Sequence, residues 1–146
     1  NFRLTIEQHR KGESMVEKRI YFHDTDAGGV VYYANYLKYM EEARVNFFQE
    51  HGLSEIQVEG TPVFFPVSRC VISYHKPAYY GETIQCTALP TKVSAARIIF
   101  TQQVIQPKTK AVLVEAEVTL ACVNAKTFRP MRLPETVQKK IYSCFP

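Results

Sequence analysis

The chain has 146 residues, of which 46% are hydrophobic and 22% are charged, and its formal net charge is +4. This length and composition are typical of one globular domain with a buried core, and they exclude an intrinsically disordered chain. No apolar run reaches the ~18 residues of a membrane-spanning helix, and the polar residues 1–14 lack the apolar core of a signal peptide.

The charge is distributed unevenly along the chain. Residues 1–89 hold nine Lys and Arg against eleven Asp and Glu, a net charge of −2, whereas residues 90–146 hold nine against three, a net charge of +6. A basic second half favours an anionic ligand such as a phosphorylated cofactor. On charge alone, a solvated and solubilising surface is the simpler interpretation.

The first half of the chain predicts one strand and one long helix. We expect a polar N-terminal extension of uncertain order over residues 1–14 and a single domain over residues 15–146. Residues 15–23 roughly alternate between apolar and polar side chains, which predicts a strand. Residues 24–29 break that pattern, and a helix is predicted from about Val30 to about His51, with Gly52 as its stop. Its apolar arc consists of Tyr33, Tyr36, Leu37, Met40, Ala43, Phe47 and Phe48.

The rest of the chain predicts strands separated by turns. These strands are Pro62–His75, bent near Pro66, then Thr83–Thr87, Ala96–Ile105 and Ala111–Val123. A short helix from Pro134 to about Tyr142 closes the chain. Because the long helix and the sheet each have an apolar face, they must bury each other, which predicts an α+β layer with the sheet curled over the helix.

The four cysteines are Cys70, Cys86, Cys122 and Cys144, and no two of them have metal-ligand spacing. Three of them fall inside apolar strand patterns, where a free cysteine behaves as a small hydrophobic residue. We therefore expect a reduced, cytoplasmic protein with structural cysteines and no metal site.

The stretch YFHDTDAGGVVYYANY, Tyr21–Tyr36, combines acids and glycines directly before the predicted helix. A helix N-terminus exposes unpaired N–H groups and partial positive charge, which stabilise an oxyanion or a polarised carbonyl. Gly28 and Gly29 would let a ligand approach the backbone, and an upstream acid can act as a general base or a nucleophile. The pattern suits attack on an activated acyl group. Simple helix capping by Asp24, Thr25 or Asp26 explains it as well, and physics alone favours capping.

The segment DTDAGGVVYYANYLKYMEEAR, Asp24–Arg44, resembles the 4-hydroxybenzoyl-CoA thioesterase family of hotdog-fold enzymes, and especially its Tol–Pal-associated acyl-CoA thioesterase subgroup. The similarity continues through SYHKPAYYGETIQ at residues 73–85 and EAEVTLACVNAKTFRPMRLP at residues 115–134. The resemblance implies a long central helix wrapped by a five- to six-stranded antiparallel sheet. It also implies a homodimer, often two dimers in a homotetramer, with active sites at the subunit interface.

The resemblance assigns roles to residues of the opening stretch. The family's catalytic carboxylate corresponds to Asp26, and its carbonyl-polarising backbone N–H corresponds to Tyr33. Asp24 and Gly28 match further family positions, and together with Gly29 they are expected at the substrate. Related bacterial proteins often carry His where this chain has Tyr33, so a role for that His side chain does not transfer. His23, near Asp26 in sequence, would either tune that carboxylate or point into solvent.

The resemblance also implies where coenzyme A and the acyl group bind. The loop between the third and fourth strands and the segment after the last strand commonly supply the cations for the nucleotide. The candidates there are Lys92, Ser94, Arg97, Lys126, Arg129 and Arg132. Phe64 and Phe65 precede a strand expected to line the acyl pocket. Coenzyme A is part of the substrate, so we expect no separate cofactor.

Three functional hypotheses remain open from the sequence. The first is hydrolysis of acyl-CoA thioesters, with Asp26 as base or nucleophile. The second is hydrolysis of acyl groups held on acyl carrier protein, which the basic second half could dock. The third is a non-catalytic hotdog module that binds acyl or nucleotide ligands. Nucleic-acid binding is not indicated, because no recognition motif is present and the basic residues are not clustered.

Overall fold

The structure, a computed structural model, describes residues 10–146 and confirms an α+β architecture. The α-helices are α1, Asn35–Glu50, and α2, Glu135–Tyr142, and a short 3-10 helix spans Phe22–Asp24. The strands are β1 Ser14–Arg19, β2 Gln57–Val58, β3 Thr61–Phe64, β4 Val67–Tyr74, β5 Thr83–Val93, β6 Arg97–Gln106, β7 Ala111–Ala121 and β8 Val123–Asn124. Residues 1–9 of the predicted extension lie outside the described residues.

The main sheet has five strands in the order β1-β5-β6-β7-β4, and all neighbours are antiparallel. β2, β3 and β8 form a second, small antiparallel sheet. Val114, Ala116, Val118 and Leu120 of β7 are buried, whereas Glu115 and Glu117 are exposed, as the alternation predicts. Among residues 10–146, no helix is long and apolar enough to cross a membrane.

Helix α1 lies across one face of this sheet and supplies much of the core. Tyr36, Tyr39, Met40, Ala43 and Phe47 are buried there, and the Phe47 and Phe100 rings meet edge to face at 5.2 Å. The predicted arc was correct in its centre and wrong at Tyr33 and Leu37, which are 61% and 47% exposed. The helix is therefore rotated so that one of its apolar sides stays uncovered in the single chain.

The start of α1 corrects the sequence prediction by five residues, from Val30 to Asn35. Val31 donates its N–H to the Ala78 C=O at 2.9 Å and pairs with Thr25, and Val30 pairs with Tyr79. These pairings hold both valines in extended backbone, which β-branched residues favour. The chain becomes helical only after this short hairpin.

The main sheet has two ends that matter for the site. The near end contains Arg19, Tyr74 and Thr83, and the far end contains Val67, Val93 and Arg97. β5 alone runs over 11 residues, so the two ends are separated by about 30 Å. The hairpin that carries Asp26 is at the near end, because Ile20 follows β1 directly and bonds to the residues just before β5.

Candidate active site

Asp26 begins a tight turn that the local sequence dictates. Its N–H donates to the Val30 C=O at 2.9 Å, and its own C=O accepts the Gly29 N–H at 3.0 Å. Its Oδ1 accepts the Gly28 N–H at 2.8 Å. Gly29 has φ +77°, a left-handed conformation that a side chain would strain. The turn thus fixes one carboxylate oxygen, and the side chain is exposed.

The second carboxylate oxygen of Asp26, Oδ2, accepts no hydrogen bond from residues 10–146. A carboxylate held by one oxygen, with the other open to solvent, can attack a carbonyl or accept a proton from water. This is the chemistry that the sequence predicted for Asp26.

Tyr33 lies where the hairpin turns into the helix. The Tyr32 C=O accepts the Asn35 N–H at 2.8 Å, so the first helical turn opens here. Within the described residues, the Tyr33 N–H has no hydrogen-bond acceptor. An unpaired N–H at a helix N-terminus carries the partial positive charge that would polarise a carbonyl. The Tyr33 amide precedes α1 itself, and its role in polarising a carbonyl stays a prediction.

Asp24 has different surroundings from Asp26. Its side chain is 9% exposed, with Oδ1 2.9 Å from the Tyr39 hydroxyl and Oδ2 2.8 Å from the Tyr21 N–H. His23 is exposed, and its Nε2 lies 3.8 Å from Asp24 Oδ2, so this ring accompanies Asp24 rather than the open oxygen of Asp26. The predicted contact between Asp24 and substrate stays a prediction, since its carboxylate is turned inward.

A cavity of about 250 Å³ adjoins Tyr33 at the near end. It is lined by Val31, Tyr33, Tyr36, Tyr74, His75, Lys76 and Pro77. The Tyr74 hydroxyl donates to the Tyr33 C=O at 3.3 Å, and the two rings meet edge to face. Asp26 is not among the residues that line this cavity.

Phe64 and Phe65 line a separate cavity of about 340 Å³, shared with Val45, Phe48 and Ile56. Phe65 stacks on Phe48 with ring centroids 5.4 Å apart, and Phe64 is 44% exposed against Phe128. Because these residues directly precede Val67, they belong to the far end of the sheet. The structure therefore separates the predicted acyl-pocket residues from Asp26 of the same chain.

The predicted coenzyme A residues are also at the far end. Lys92, Ser94 and Arg97 line a cavity of about 400 Å³ beside Tyr142 and Phe145. Lys126, Arg129 and Arg132 are exposed in the segment after β8, which bonds back to Cys122 and Asn124. The structure gathers six predicted phosphate contacts on one end of the sheet. Their role stays a prediction.

Arg44 is buried inside the domain, and its Nη1 donates to Gln102 Oε1 at 2.9 Å. Burial lowers the pKa of this guanidinium, against the opposing field of Glu41. Gln102 in turn donates to the C=O groups of Met40 and Thr87, both at 3.0 Å. The network explains how a cation is tolerated on the inner side of α1.

Sequence reasoning missed Tyr39 and Tyr74 as residues around the site. Tyr39 is three residues after Tyr36 and four before Ala43. This helical spacing was a signal that could have placed Tyr39 on the buried face. Tyr74 is the last residue of β4, and no local pattern indicates that it meets Tyr33. Asn35, the first residue of α1, donates its side-chain N–H to the Asp24 C=O at 2.8 Å.

The fold and these residues define an α+β domain of the hotdog type, with an acidic turn at the open end of its central helix. Residues 20–141 match the family described as the Thioesterase-like superfamily, and the chain belongs to that superfamily. The resemblance seen in the sequence is thereby confirmed.

Individual relatives agree with this assignment. The chain is 32% identical over 119 residues to the acyl-CoA thioester hydrolase YbgC of Escherichia coli, covering 82% of this chain and 88% of that protein. It is 33% identical to the acyl-CoA thioesterase YbgC of Haemophilus influenzae, with the same two coverages.

Solved structures agree as well. A probable thioesterase from Bartonella henselae is 31% identical, with a TM-score of 0.75, over 84% of this chain and 99% of that one. Slr0204, a 1,4-dihydroxy-2-naphthoyl-CoA thioesterase from Synechocystis, is 25% identical, with a TM-score of 0.77, over 89% of this chain and 96% of that one.

Proposed function

We propose that this protein hydrolyses acyl-CoA thioesters to a free carboxylic acid and coenzyme A. One observation carries the proposal: the open carboxylate oxygen of Asp26 and the unpaired N–H of Tyr33 belong to the same hairpin at the start of α1. The names of the bacterial relatives support the substrate class.

The reaction follows from these two groups. The thioester oxygen would accept a hydrogen bond from the Tyr33 N–H, where the partial positive charge of the helix end stabilises the developing oxyanion. Asp26 Oδ2 would either attack the carbonyl carbon or take a proton from a water that attacks it. The C–S bond then breaks and coenzyme A leaves as its thiolate. On the covalent route, an anhydride between the acyl group and Asp26 forms, and water attacks its acyl carbon and releases Asp26 as a carboxylate. On the water route, Asp26 passes the proton it has taken to the departing thiolate or to solvent. Water supplies the new carboxyl oxygen on both routes.

A complete site needs a second copy of the chain. Within one chain, Asp26 and Tyr33 are at the near end of the sheet, whereas Phe64, Phe65 and the predicted phosphate contacts are at the far end, roughly the 20 Å length of α1 away. The acyl group is bonded to the carbonyl that Asp26 would attack, so its pocket must adjoin Asp26, and the Phe64–Phe65 cavity of the same chain does not. A twofold pairing of β4 with the β4 of a second copy would be antiparallel, and it would bring the near end of one chain beside the far end of the other.

The surface of β4 supports this homodimer. β4 is an edge strand with seven of its eight residues exposed, among them Val67, Val71 and Tyr74. Leu37 and Val45 of α1, both 47% exposed, extend the apolar surface. They lie on the side of α1 facing β4, because Tyr33 packs on Tyr74 and Phe48 on Phe65. Assembly of two dimers into a tetramer stays a prediction.

The other expectations follow from the same scheme. Polarisation comes from the helix end, so the proposed step uses no metal or separate cofactor. Cys86, Cys122 and Cys144 are buried and unpaired, which supports the cytoplasmic location. Cys70 departs from the expectation of buried cysteines, because it is exposed on β4.

Acyl carrier protein remains an alternative carrier of the acyl group. Comparing the rates on matched acyl-CoA and acyl-carrier-protein substrates separates the two hypotheses.

Replacement of Asp26 by Asn tests the proposal. Asn keeps the shape of the side chain and removes the basic oxygen, so we expect kcat on acyl-CoA substrates to fall by about 100-fold or more. A panel of short-chain, long-chain and aromatic acyl-CoAs should be used, with release of the free thiol as the readout. Glu55→Gln, at an exposed acid of the α1–β2 loop, is the matched control and should keep the parental rate. An Asp26→Asn variant as fast as the parent would contradict the assigned role.

A further inference from the structure

Beneath the proposed catalytic hairpin, a buried acid and a buried phenol are paired, and the reaction scheme above uses neither. Asp24 Oδ1 accepts the Tyr39 hydroxyl at 2.9 Å, and Asp24 Oδ2 accepts the Tyr21 N–H at 2.8 Å. Tyr39, in the second turn of α1, is 1% exposed. The pair joins the first arm of the hairpin to the central helix.

The backbone of Asp24 joins the second arm as well. Its C=O accepts the Tyr32 N–H at 3.0 Å and Asn35 Nδ2 at 2.8 Å. Asp26 follows Asp24 by two residues, and Tyr33 follows Tyr32 directly. A single residue therefore fixes the arm that leads to the carboxylate, the arm that leads to the Tyr33 amide, and the start of α1.

The protonation states make the side-chain bond a strong one. Burial raises the pKa of Asp24, but the hydrogen bonds from Tyr21 and Tyr39, with Lys18 and His23 nearby, outweigh it and leave the pKa below its usual value. Burial and the bond to Asp24 raise the pKa of Tyr39, so this phenol keeps its proton. A neutral O–H donating to a carboxylate is a charge-assisted hydrogen bond.

We infer that Tyr39 and Asp24 are positioning residues for thioester hydrolysis. Their hydrogen bond holds Asp26 at the distance from the Tyr33 N–H at which both groups can act on the same carbonyl. The inference rests on the function proposed above. Both side chains are buried and turned away from the open oxygen of Asp26, so the inferred role needs no contact with substrate. Both act through the hairpin, and a displacement of about 1 Å in a catalytic group costs on the order of 100-fold in rate.

Tyr39→Phe tests this role, because it removes the hydroxyl and keeps the ring. At a temperature well below the measured Tm, kcat on an acyl-CoA should fall about tenfold or more while KM changes less than twofold. Ser14→Ala is the matched control. Ser14 is 1% exposed, and its hydroxyl donates to Glu50 Oε2 at the opposite end of α1, so this variant loses a similar bond without disturbing the hairpin. Its kcat should equal that of the parent.

A double-mutant cycle with Asp26→Asn shows whether Tyr39 acts through Asp26. If it does, Tyr39→Phe should lower the residual kcat of Asp26→Asn by a much smaller factor than it lowers the kcat of the parent. An equal factor in both backgrounds, or an unchanged kcat for an active Tyr39→Phe enzyme, would overturn the positioning role alone. A parent without thioesterase activity, or an Asp26→Asn variant as fast as the parent, would instead overturn the proposed function.

Two further measurements keep the inference testable without Tyr39→Phe kinetics. Amide hydrogen exchange of Asp26, Gly29 and Tyr32 should be faster in Tyr39→Phe than in Ser14→Ala, whatever the activity, and equal exchange would contradict the inference. Asn35→Ala removes the amide donor to the Asp24 C=O at a partly exposed site. We expect Asn35→Ala to lower kcat, as Tyr39→Phe does. This test stays available if Tyr39→Phe folds poorly, and an unchanged kcat would count against the inference.

Discussion

Asp24 and Asp26 are two residues apart, yet one is buried among hydrogen-bond donors and the other opens to solvent. The turn that starts at Asp26 accounts for the difference, because it rotates the backbone after Thr25 and uses Oδ1 to cap Gly28. The same type of side chain is a buried anchor at Asp24 and, in the proposed function, the reactive group at Asp26. Residue type alone therefore does not assign a role in this stretch.

The buried state of Asp24 predicts a stability that depends on pH. Its pKa is lowered in the folded chain, so the carboxylate stabilises the fold above its unfolded pKa of about 3.9. That stability is lost as the pH falls through the folded pKa. We expect the unfolding free energy of the parent to exceed that of Asp24→Asn at pH 7, and the difference to shrink towards pH 3. Urea unfolding of both proteins at several pH values measures this difference in unfolding free energy.

The control for this pH series is Tyr36→Phe. Tyr36 is also buried, but its hydroxyl accepts the Ala78 N–H and does not contact a carboxylate, so its loss should cost the same free energy at every acidic pH. A difference between parent and Asp24→Asn that stays constant down to pH 3 would show that Asp24 is not held as a carboxylate.

At the scale of single residues, the local pattern indicated an acidic, glycine-containing turn before a helix but not where its side chains point. The roles predicted for Asp26 and Tyr33 come from the family resemblance, because the pattern alone fits helix capping as well. The inward turn of Asp24 was not foreseeable, because it depends on Tyr39, which reaches Asp24 from a different element, 15 residues further along the chain. Hydrogen bonds between elements leave no pattern in the local sequence.

At the scale of elements, the differences between prediction and structure occur where long-range pairing overrides a local pattern. The helix begins at Asn35 rather than Val30 because Val30 and Val31 pair with Tyr79, Ala78 and Thr25. The predicted strand Pro62–His75 is divided at Phe65 and Pro66 into β3 and β4, which belong to different sheets. Proline cannot donate to a ladder, so the break at Pro66 was anticipated as a bend.

The two edges of the main sheet differ in a way that the sequence does show. β1, SMVEKR, has exposed Glu17 and Arg19, the charges that commonly block edge-to-edge pairing. β4, VSRCVISY, carries one charge, Arg69, and is exposed almost throughout. We conclude that β4 is the edge suited to pairing with a second chain.

Val71→Lys tests pairing through β4. Val71 is 48% exposed in the middle of the strand, and a twofold axis there would bring the two introduced lysines close together. Within one chain the lysine stands opposite Glu117, a favourable pair, so the protomer should stay folded. Sedimentation should show a shift from dimer to monomer with loss of thioesterase activity. Glu17→Lys on β1 is the control, and a Val71→Lys protein that remains dimeric would argue against this interface.

At the scale of the whole molecule, local patterns could not show which predicted residues lie at which end of the sheet, although the family resemblance implied active sites at a subunit interface. The whole of α1 lies between Tyr33 and Phe64 along the chain, and with the strand ends it places Asp26 and Tyr33 at the opposite end of the sheet from Phe64 and Phe65. Lys92 and Arg97 lie at the same end of the sheet as Phe64. The register shows this, because Arg97 pairs with Ala121 and Val67 pairs with Leu120. Register between distant strands is a property of the assembled sheet.

A site shared by two chains predicts that two inactive variants restore each other. Asp26→Asn removes the base from the near end, and Phe64→Glu places a charge in the acyl-pocket wall at the far end, where a half-exposed residue tolerates it. In a mixed dimer, one of the two sites then combines an intact Asp26 with an intact Phe64 from the other chain. Random exchange makes half the dimers mixed, so about a quarter of all sites should be intact.

The measurement is thioesterase activity after the two variants are unfolded together and refolded, compared with each variant refolded alone. Mixing Asp26→Asn with the double variant Asp26→Asn/Phe64→Glu is the control, and it should stay inactive because no chain supplies the carboxylate. If each chain held its own complete site, every mixed dimer would carry one damaged base and one blocked pocket, and activity would not return. Recovery near a quarter of the parental rate therefore requires that Asp26 of one subunit work against the acyl-pocket wall of its partner.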